Sequence, residues 1–472
     1  MTIVEFHNAL KNKTISARAA TSLYLDAAKK ENKKLNAYLE LFEEDAMGRA
    51  KEIDNRIASG EEPGILWGVP FAIKDNILIS GKIASAASRI LKNYVASYDA
   101  GVIKKLKAAG AIFLGRTNMD EFAMGSSTEN SAYGPTRNPH NNEYVPGGSS
   151  GGSAVAVAAN LAMAALGSDT GGSIRQPAAF CGAVGLKPTY GAVSRSGLIA
   201  MASSLDQIGP LAQSVEDAEI IFNIIKGNDQ LDSTSVDSDI FSLKTAPQPV
   251  RVIGVPKEYF SEGLDSRINN TIKSVIKKLE KHYTIREISL PNTKHALPCY
   301  YIIVPAEVSS NMARFDGIRY GERADADNIF DVYKRSRGEG IGLEVRRRIL
   351  LGTYVLSHGY YDAYYARAQK VRHLIKEDFK KAFDPKTGVD VILGPTSPTL
   401  PFKIGEKSED PLAMYLSDIY TIPVNLAGIP ALSVPYGTVL EDGTNFPIGV
   451  QLMAPHFEEK QLFDVGKQIE VL

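Results

Sequence analysis

Two short turns of glycine and serine, residues 147–153 and 171–173, lie on either side of an almost wholly apolar segment, residues 154–166. Glycine permits positive φ angles and lets the backbone approach a ligand closely, so each turn can present a serine beside several N–H groups. The alanine-rich segment predicts a buried helix, too short to cross a bilayer. Such a helix advances the chain by roughly 18 Å, so the second turn can return beside the first only if a strand or extended stretch lies between them. That path would bring Ser149 and Ser173 into one pocket.

Glycine and serine runs are also typical of flexible linkers and of phosphate loops. Linkers are solvated, whereas the second turn is followed by Ile174, Pro177 and Phe180, which indicates a buried and ordered backbone. A phosphate loop requires Gly-Lys-Ser or Gly-Lys-Thr, which does not follow Gly152, and the pattern Gly-x-Gly-x-x-Gly is not met. The two turns therefore favour a catalytic site with a serine nucleophile.

The sequence GGSSGGS at residues 147–153, followed by GSDTGGSIRQP at residues 167–177, resembles the signature of the amidase signature family. The resemblance extends over essentially the whole chain. It implies a single domain over residues 1–472 with an α/β fold, in which helices cover both faces of a large mixed β-sheet. It also implies a Ser-cisSer-Lys triad, with Ser173 as the acyl-accepting nucleophile and Ser149 as a bridging serine held by a cis peptide.

Within that domain, the resemblance implies a signature core over about residues 65–210 and a mainly helical segment over about residues 299–384. Hydrophobic periodicity predicts further helices at residues 19–28, 43–59, 99–109, 264–279 and 458–471, and one helix capped by Ser214. Strands are expected at residues 111–114, 250–255, 389–393, 431–434 and 448–453. Residues 228–248 are rich in Ser, Asp and Thr and are interpreted as a surface loop.

The lysine of the triad is assigned to Lys74, which ends an apolar, strand-like run. A lysine at the end of a strand ordinarily extends its amine to solvent. Here the run GVPFAIKD, residues 68–75, resembles the segment of the family that carries the catalytic lysine, which implies that Lys74 is the base. An amine in a partly apolar pocket has a lowered pKa and can accept a proton at neutral pH. We therefore expect Lys74 to deprotonate Ser149, which in turn deprotonates Ser173.

Acyl transfer also requires hydrogen-bond donors for the oxyanion of the tetrahedral intermediate. The turn before Ser173 offers consecutive backbone N–H groups at Thr170, Gly171 and Gly172, and the two glycines allow these groups to converge. One such donor is typically worth about 3 kcal/mol. Asp169 precedes the turn and is expected to orient it by accepting backbone hydrogen bonds.

Other nucleophilic and acid–base residues lack such a setting. The seven histidines are scattered, although spacing alone leaves a Ser-His-Asp triad open because its members meet only in the fold. Cys181 has apolar neighbours, which is typical of an inert buried cysteine. Asp120 and Glu121 are interpreted as caps or surface groups of a loop. No cluster of His, Cys, Asp and Glu has the spacing of a metal site.

The composition of the chain indicates its binding partners and its cellular compartment. The chain has 53 Lys and Arg residues and 54 Asp and Glu residues, so its charge is balanced. We therefore do not expect this chain alone to bind nucleic acid through electrostatic attraction. Two cysteines cannot form a disulfide framework and fit a reducing compartment. The first thirty residues lack the apolar core of a signal peptide, and no stretch reaches membrane-spanning length. The sequence therefore predicts a cytoplasmic protein that does not bind membranes.

Three further segments, residues 314–321, 359–365 and 417–428, resemble the branch of the family that serves aminoacyl-tRNA amidotransferases. This narrower resemblance implies a glutaminase whose ammonia converts Glu-tRNA(Gln) or Asp-tRNA(Asn) to Gln-tRNA(Gln) or Asn-tRNA(Asn). It implies a heterotrimer, in which the two other subunits contact most of the aminoacyl-tRNA. ATP and Mg²⁺ would be used by the complex on a partner subunit, while this chain binds no cofactor.

Glutamine as a substrate imposes a physical demand, because a buried and unpaired charge is very costly. An arginine can pair with its α-carboxylate, and an aspartate can accept from its α-ammonium group. The resemblance implies Arg348 and Asp418 for these roles, with Tyr301 in the same pocket, and leaves the choice among Arg346, Arg347 and Arg348 open. Two alternatives remain: a stand-alone amidase for a small neutral amide would not need these charges, and a silent scaffold protein would not need the triad.

Overall fold

The structure, a computed structural model, describes residues 1–241 and 249–472. In those residues the strands are β1 (Tyr38–Leu41), β2 (Pro70–Lys74), β3 (Ile112–Thr117), β4 (Ala164–Asp169), β5 (Val184–Lys187), β6 (Gln207–Ala212), β7 (Val252–Pro256), β8 (Thr284–Ile288), β9 (Val391–Pro395), β10 (Ala431–Glu441) and β11 (Thr444–Met453). The helices are α1 (Ile3–Lys11), α2 (Ala17–Leu35), α3 (Glu43–Ala58), α4 (Gly101–Ala108), α5 (Gly151–Ala158), α6 (Arg175–Cys181), α7 (Val215–Ile225), α8 (Ser266–Leu279), α9 (Ala296–Asn311), α10 (Ile329–Gly340), α11 (Leu343–Leu356), α12 (Arg367–Ala382), α13 (Pro411–Tyr415), α14 (Ile422–Ala427) and α15 (Glu459–Glu470). None of these helices combines the length and the apolar character that crossing a lipid bilayer requires.

The strands join into one mixed sheet in the order β1-β3-β2-β4-β6-β5-β10-β11-β9-β7-β8. Strand β2 lies parallel to β3 and β4, and β7 lies parallel to β8 and β9. The other described pairs are antiparallel. Every residue of β2, β4 and β9 is buried, so both faces of these strands are covered, as is usual around parallel strands. The predicted α/β class with a large mixed sheet is confirmed.

The apolar segment between the two glycine-serine turns differs in part from the prediction. Helix α5 ends at Ala158, and the chain turns at Asn160, which has a φ of 56°. Residues 164–166, predicted to be helical, form the first half of β4. Periodicity cannot separate a buried helix from a buried strand, because both are apolar on every side. The extended stretch expected between the turns is confirmed, since β4 leads directly into the second turn.

Most of the other predicted elements are present. Helices α2, α3, α4, α8 and α15 and strands β3, β7, β9, β10 and β11 correspond to the predicted segments. The Ser214 hydroxyl accepts the N–H of Asp217 and caps α7, as predicted. In the predicted surface loop, residues 228–241 form turns and a short 3₁₀ helix, while residues 242–248 lie outside the described residues.

Helices occupy most of the segment predicted to be mainly helical, about residues 299–384. Helices α9 to α12 follow one another there, and a π-helical turn at Tyr361–Ala366 leads into α12. Helices α11 and α12 pack against α9, and α12 also packs against α14. Tyr300 on α9 and Thr421, just before α14, contact the turn that follows β4. The helical segment therefore forms one wall beside the carboxyl end of β4.

Candidate active site

Strands β2 and β4 are parallel neighbours, so their carboxyl ends lie at the same edge of the sheet, where α/β proteins gather ligand-binding groups. Lys74 is the last residue of β2, and Asp169 is the last residue of β4. The Nζ atom of Lys74 lies 2.8 Å from the Oγ atoms of both Ser149 and Ser150. It also lies 2.9 Å from Ser168 Oγ. The predicted contact between Lys74 and Ser149 is therefore present.

Burial changes the acid–base character of Lys74. Its side chain is fully buried, and the loss of hydration lowers the pKa of the amine from 10.5 to about 7. The carboxylates of Asp120, Asp169 and Asp206 oppose this change without cancelling it. An amine with a pKa near 7 is substantially uncharged at neutral pH and can accept a proton from a hydroxyl group. Lys74 is thus suited to act as a base.

The two glycine-serine turns lie side by side, as predicted. The N–H of Ser150 donates to the carbonyl oxygen of Ser173 over 3.1 Å. The peptide bond between Gly148 and Ser149 is cis, as the resemblance implies. Lys74 and Ser149 are 0% exposed, whereas Ser173 is 7% exposed. The three predicted residues thus run from the interior, at Lys74, to the accessible end, at Ser173.

The carboxylate of Asp169 shapes the turn that carries Ser173. It accepts the N–H of Gly172 at 2.9 Å and the N–H of Ile174 at 3.1 Å. Gly172 has a φ of 138°, which favours glycine, and a Cβ there would lie 2.3 Å from Thr421 Oγ1. Both the conformation and the space at this position therefore require glycine.

The three N–H groups predicted to form an oxyanion hole are not equivalent. The Gly172 N–H is committed to Asp169, so this geometry does not support its predicted role. No hydrogen bond within the described residues uses the N–H of Thr170 or of Gly171, and these two donors stay available. The Tyr300 hydroxyl lies directly against them, because a Cβ on Gly171 would come within 2.6 Å of it.

Arg175 ties this turn to the segment around α14. Its side chain is fully buried, and two of its N–H groups donate to the carboxylate of Asp169 at 3.0 Å. The other three donate to Thr421 O, Gln451 Oε1 and Asn425 Oδ1. Burial alone would raise the pKa of Asp169, but the Arg175 guanidinium lowers it to about 2. The ion pair is therefore charged and fully hydrogen-bonded, as a buried pair must be to persist.

Helix α11 directs only the last residue of its arginine triplet inward. Arg348 is 3% exposed, whereas the two preceding arginines are exposed or half-buried. Its Nε donates to Glu344 Oε1 at 2.8 Å, and its guanidinium lies 5.3 Å from the ring centroid of Tyr301, which stacks on Tyr415. Among the described residues, Arg348 donates side-chain hydrogen bonds through Nε alone. Both of its Nη groups are therefore free to bind a ligand carboxylate.

Asp418 lies against the turn that carries Ser173, since a Cβ on Gly172 would be 3.2 Å from its Oδ1. Its Oδ2 accepts the hydroxyl of Ser126. Its Oδ1 is buried and has no hydrogen-bond partner among the described residues. Burial raises the pKa of Asp418 to about 7. Buried acceptors almost always have a partner, so we expect a donor from outside the chain, a water molecule or a ligand, at this oxygen.

The charged groups at this end of the sheet lie close to one another. The hydroxyl groups of Tyr300 and Tyr301 lie within electrostatic reach of both Arg348 and Asp418. The structure thus brings together the three residues predicted to bind the substrate, and one of them, Asp418, lies beside the turn of Ser173.

Comparison with known proteins identifies the family to which this chain belongs. A family model described as Amidase matches residues 19–463. The chain belongs to the amidase family. It is 54% identical to a glutamyl-tRNA(Gln) amidotransferase subunit from Carboxydothermus hydrogenoformans, over 99% of this chain and 96% of that protein. It is 53% identical to the protein of the same name in Pseudomonas fluorescens, over 100% of this chain and 97% of that protein.

Solved structures agree with this assignment. The crystal structure of the protein of that same name from Thermotoga maritima matches this amidase with a TM-score of 0.79 and 41% identity, over 100% of this chain and 94% of that one. A peptide amidase from Stenotrophomonas maltophilia matches with a TM-score of 0.82 and 27% identity, over 100% and 96% of the two chains. Proteins of different specificity therefore share this fold.

The alternative catalytic and metal-binding residues considered in the sequence analysis are not supported by their positions in this amidase. Ser149 is hydrogen-bonded to Lys74, which is the arrangement of a Ser-cisSer-Lys triad and not that of a Ser-His-Asp triad. Cys181 is buried, and burial raises the pKa of its thiol. The interpretation of Asp120 and Glu121 as surface groups is wrong, because both are buried, but both do cap loops by accepting backbone N–H groups. In residues 1–241 and 249–472, no group of three His, Cys, Asp or Glu side chains is placed to hold a metal ion.

Sequence reasoning missed five residues of this site: Ser150, Ser168, Arg175, Tyr300 and Glu344. Ser150 and Arg175 lie inside the signature motifs, so the sequence marked them as part of the site but did not show what they do there. Glu344 precedes Arg348 by four residues, a spacing that predicts an ion pair on a helix. Ser168 and Tyr300 join the site only through the fold, since nothing in their local sequence marks them.

Proposed function

We propose that this amidase is the glutaminase subunit of an aminoacyl-tRNA amidotransferase. The observation that carries the proposal is the pair of buried opposite charges, Arg348 and Asp418, of which Asp418 lies beside the turn of Ser173. Glutamine carries an α-carboxylate and an α-ammonium group, and each finds a partner of opposite charge in this pocket. Relatives named as amidotransferase subunits, 52–54% identical over nearly their whole length, support the same function.

In the proposed reaction, neutral Lys74 accepts the proton of the Ser149 hydroxyl while Ser149 accepts that of Ser173. Ser173 Oγ attacks the side-chain amide carbon of glutamine, and a C–O bond forms as the carbonyl π electrons move to oxygen. The resulting oxyanion accepts hydrogen bonds from the N–H groups of Thr170 and Gly171. Each such donor contributes about 3 kcal/mol to transition-state stabilisation.

Collapse of the tetrahedral intermediate breaks the C–N bond. The leaving nitrogen takes back the proton held by the relay of Lys74 and Ser149 and departs as ammonia, and a γ-glutamyl ester remains on Ser173. Water then attacks this ester while the same relay accepts its proton, and the Ser173 hydroxyl leaves with that proton. Each turnover thus yields one glutamate and one ammonia from one glutamine and one water.

The proposal extends to the complex in which the ammonia is used. We propose a heterotrimer with two further subunits that contact most of a Glu-tRNA(Gln) or Asp-tRNA(Asn) substrate. Activation of the aminoacyl carboxylate needs ATP and Mg²⁺, which we assign to a partner subunit. Both cysteines of this chain are free thiols, which supports a reducing, cytoplasmic location.

The alternative function is that of a stand-alone amidase for a small neutral amide. Such a substrate offers no charge to Arg348 or Asp418, and burial of a polar group without a partner is costly. The unpartnered Oδ1 of Asp418 therefore favours glutamine. Rates measured with free glutamine and with a neutral aryl or fatty amide separate the two functions, because a stand-alone amidase would prefer the neutral substrate.

The deciding experiment uses two nitrogen donors with the reconstituted complex. Arg348→Ala leaves the substrate carboxylate unpaired, at a cost of about 3 kcal/mol or more, so kcat/KM for glutamine should fall by roughly 100-fold. Ammonia from ammonium salts needs no glutamine pocket, so the ammonia-driven amidation of aminoacyl-tRNA should keep the wild-type rate.

Arg346→Ala serves as the matched control, because Arg346 is exposed on the same helix. Arg346→Ala should leave the glutamine-driven and the ammonia-driven reactions at their wild-type rates. If Arg348→Ala impaired the glutamine-driven and ammonia-driven reactions equally, Arg348 would have a structural role or lie at a contact with a partner, and our assignment of the pocket would be wrong.

A further inference from the structure

Helix α11 is apolar on two faces. Its inner face carries Val345, Gly352 and Val355, which are buried against the rest of the chain. Its outer face carries Leu350 and Tyr354, which are 71% and 48% exposed. An apolar helix face is normally covered by another part of the protein or by a partner. In the part of the chain that the structure describes, nothing covers the outer face of α11.

The exposed side chains of α11 continue onto the π-helical turn at residues 361–366. The ring of Tyr354 lies 4.3 Å from that of Tyr360 and 6.2 Å from that of Tyr364, measured between centroids. Tyr361 forms a further ring pair, at 5.3 Å, on the same turn. We define the tyrosine surface by six of the large and exposed side chains of this region: Leu350, Leu351, Tyr354, Tyr360, Tyr361 and Tyr364.

We propose that the tyrosine surface docks a partner subunit of the amidotransferase. This inference rests on the proposed function and names the surface through which the complex forms. Large exposed apolar patches mark interaction sites in proteins. Tyrosine is enriched in interfaces because its ring buries a large apolar area while its hydroxyl still finds a hydrogen-bond partner.

Charge distinguishes a protein partner from RNA. The six side chains of the tyrosine surface carry no charge. Residues 350–366 contain no Lys or Arg, and Asp362 is their one acidic residue, while the exposed arginines Arg346 and Arg367 lie beyond the two ends of this range. Binding of RNA depends on cations that neutralise phosphates, even where aromatic rings stack on bases. An uncharged surface of four tyrosines and two leucines therefore fits an uncharged protein surface that supplies acceptors for the tyrosine hydroxyls.

The position of the surface indicates which protein docks there. Arg348, on the inner face of α11, lines the proposed glutamine pocket, while Leu350 and Tyr354 lie on the outer face of the same helix. A partner docked on the tyrosine surface would lie against the outer side of the pocket wall. Ammonia diffuses rapidly in water, so the protein that consumes it must lie close to the site that releases it. The relatives bear the name of one subunit of an amidotransferase, and this name favours an unlike subunit over a second copy as the occupant.

The test measures association with the two other amidotransferase subunits of the same organism, purified together as a pair. Two double variants alter separate parts of the surface: Leu350→Ser with Tyr354→Ser, and Tyr361→Ser with Tyr364→Ser. Each should weaken association by about tenfold or more, since buried tyrosines often dominate interface energies. The control is Leu23→Ser, which changes another exposed leucine, on α2, and should bind as the wild type does. All variants should keep the wild-type thermal midpoint, because the altered side chains are exposed.

The outcomes separate the two proposals. If the wild-type chain fails to bind the subunit pair, the proposed function is wrong, and the docking proposal falls with it. If the wild type binds and both double variants bind equally well, the function stands and the tyrosine surface is not the docking site. Loss of self-association of the free chain would instead identify a second copy as the occupant, and weaker tRNA binding with normal assembly would identify RNA. Either result overturns the proposal.

Discussion

Replacing Lys74 with methionine should abolish glutamine hydrolysis and, at acidic pH, stabilise the folded protein. Methionine resembles the lysine stem in length and fills the same apolar space without a charge. The amine is fully buried, so folding at acidic pH must either dehydrate the cation or release its proton. The same burial that prepares Lys74 as a base therefore destabilises the native state.

The magnitude follows from the pKa of Lys74. Lowering this pKa from 10.5 to about 7 costs on the order of 5 kcal/mol below pH 7, since each pKa unit is worth about 1.4 kcal/mol. Between pH 7 and 10.5 the unfolded chain binds this proton and the native state does not, so wild-type stability rises with pH and the penalty shrinks to about 2 kcal/mol at pH 9. Methionine also removes hydrogen bonds to Ser149, Ser150 and Ser168, worth about 1 kcal/mol each.

Together, the cost of the lowered pKa and the lost hydrogen bonds predict that the effect of Lys74→Met on the free energy of unfolding changes sign with pH. Lys74→Met should gain about 2 kcal/mol of unfolding free energy at pH 6 and lose about 1 kcal/mol at pH 9. Urea unfolding of the wild type and the variant at pH 6, 7.5 and 9 measures the difference. Lys380→Met is the control, because Lys380 is exposed and should show no such dependence. An equal difference at pH 6 and pH 9 would refute the reasoning.

Three further predictions concern the reaction. Ser173→Ala should lower glutamine hydrolysis by about four orders of magnitude or more with unchanged circular dichroism, and near-normal turnover would remove Ser173 as the nucleophile. Lys74→Ala combined with Ser149→Ala should be little worse than the more damaging single change, because groups that act as a unit are not additive; multiplied losses in a kinetic double-mutant cycle would mean independent roles. The value of kcat/KM for glutamine should rise with pH through about 7, since Lys74 must be neutral and Asp418 ionised; a flat profile from pH 6 to 8 would contradict this assignment.

The part of the site that depends on short motifs could be predicted from the sequence. The glycine-rich turns indicated that Ser149 and Ser173 share a pocket, and the resemblance of the run that ends at Lys74 to the family's segment implied that this lysine reaches the same pocket. In the structure Lys74 contacts Ser149, and the two turns are joined by a backbone hydrogen bond. These predictions succeed because each rests on a few consecutive residues whose pattern resembles a known signature.

The parts that could not be predicted depend on tertiary contacts. The end of α5 at Ala158 was missed because a buried helix and a buried strand have the same apolar composition. The commitment of the Gly172 N–H to Asp169 was missed because sequence shows that an N–H exists but not where it points. The burial of Asp120 and Glu121 was missed because composition makes a loop polar without showing whether it is covered.

Arg175 shows how the fold fixes distances that the motif alone does not. Its guanidinium holds both Asp169, which shapes the nucleophile turn, and the carbonyl oxygen of Thr421, three residues after Asp418. The Thr421 hydroxyl also contacts the carbonyl oxygen of Asp418 at 3.0 Å. The position of the Asp418 carboxylate relative to Ser173 is therefore set by charge-assisted hydrogen bonds, which are stronger and more directional than apolar contacts. A substrate bound through its α-ammonium group at Asp418 would then hold its reacting carbon at a fixed distance from Ser173, and fixed geometry of this kind supplies much of the rate of an acyl transfer.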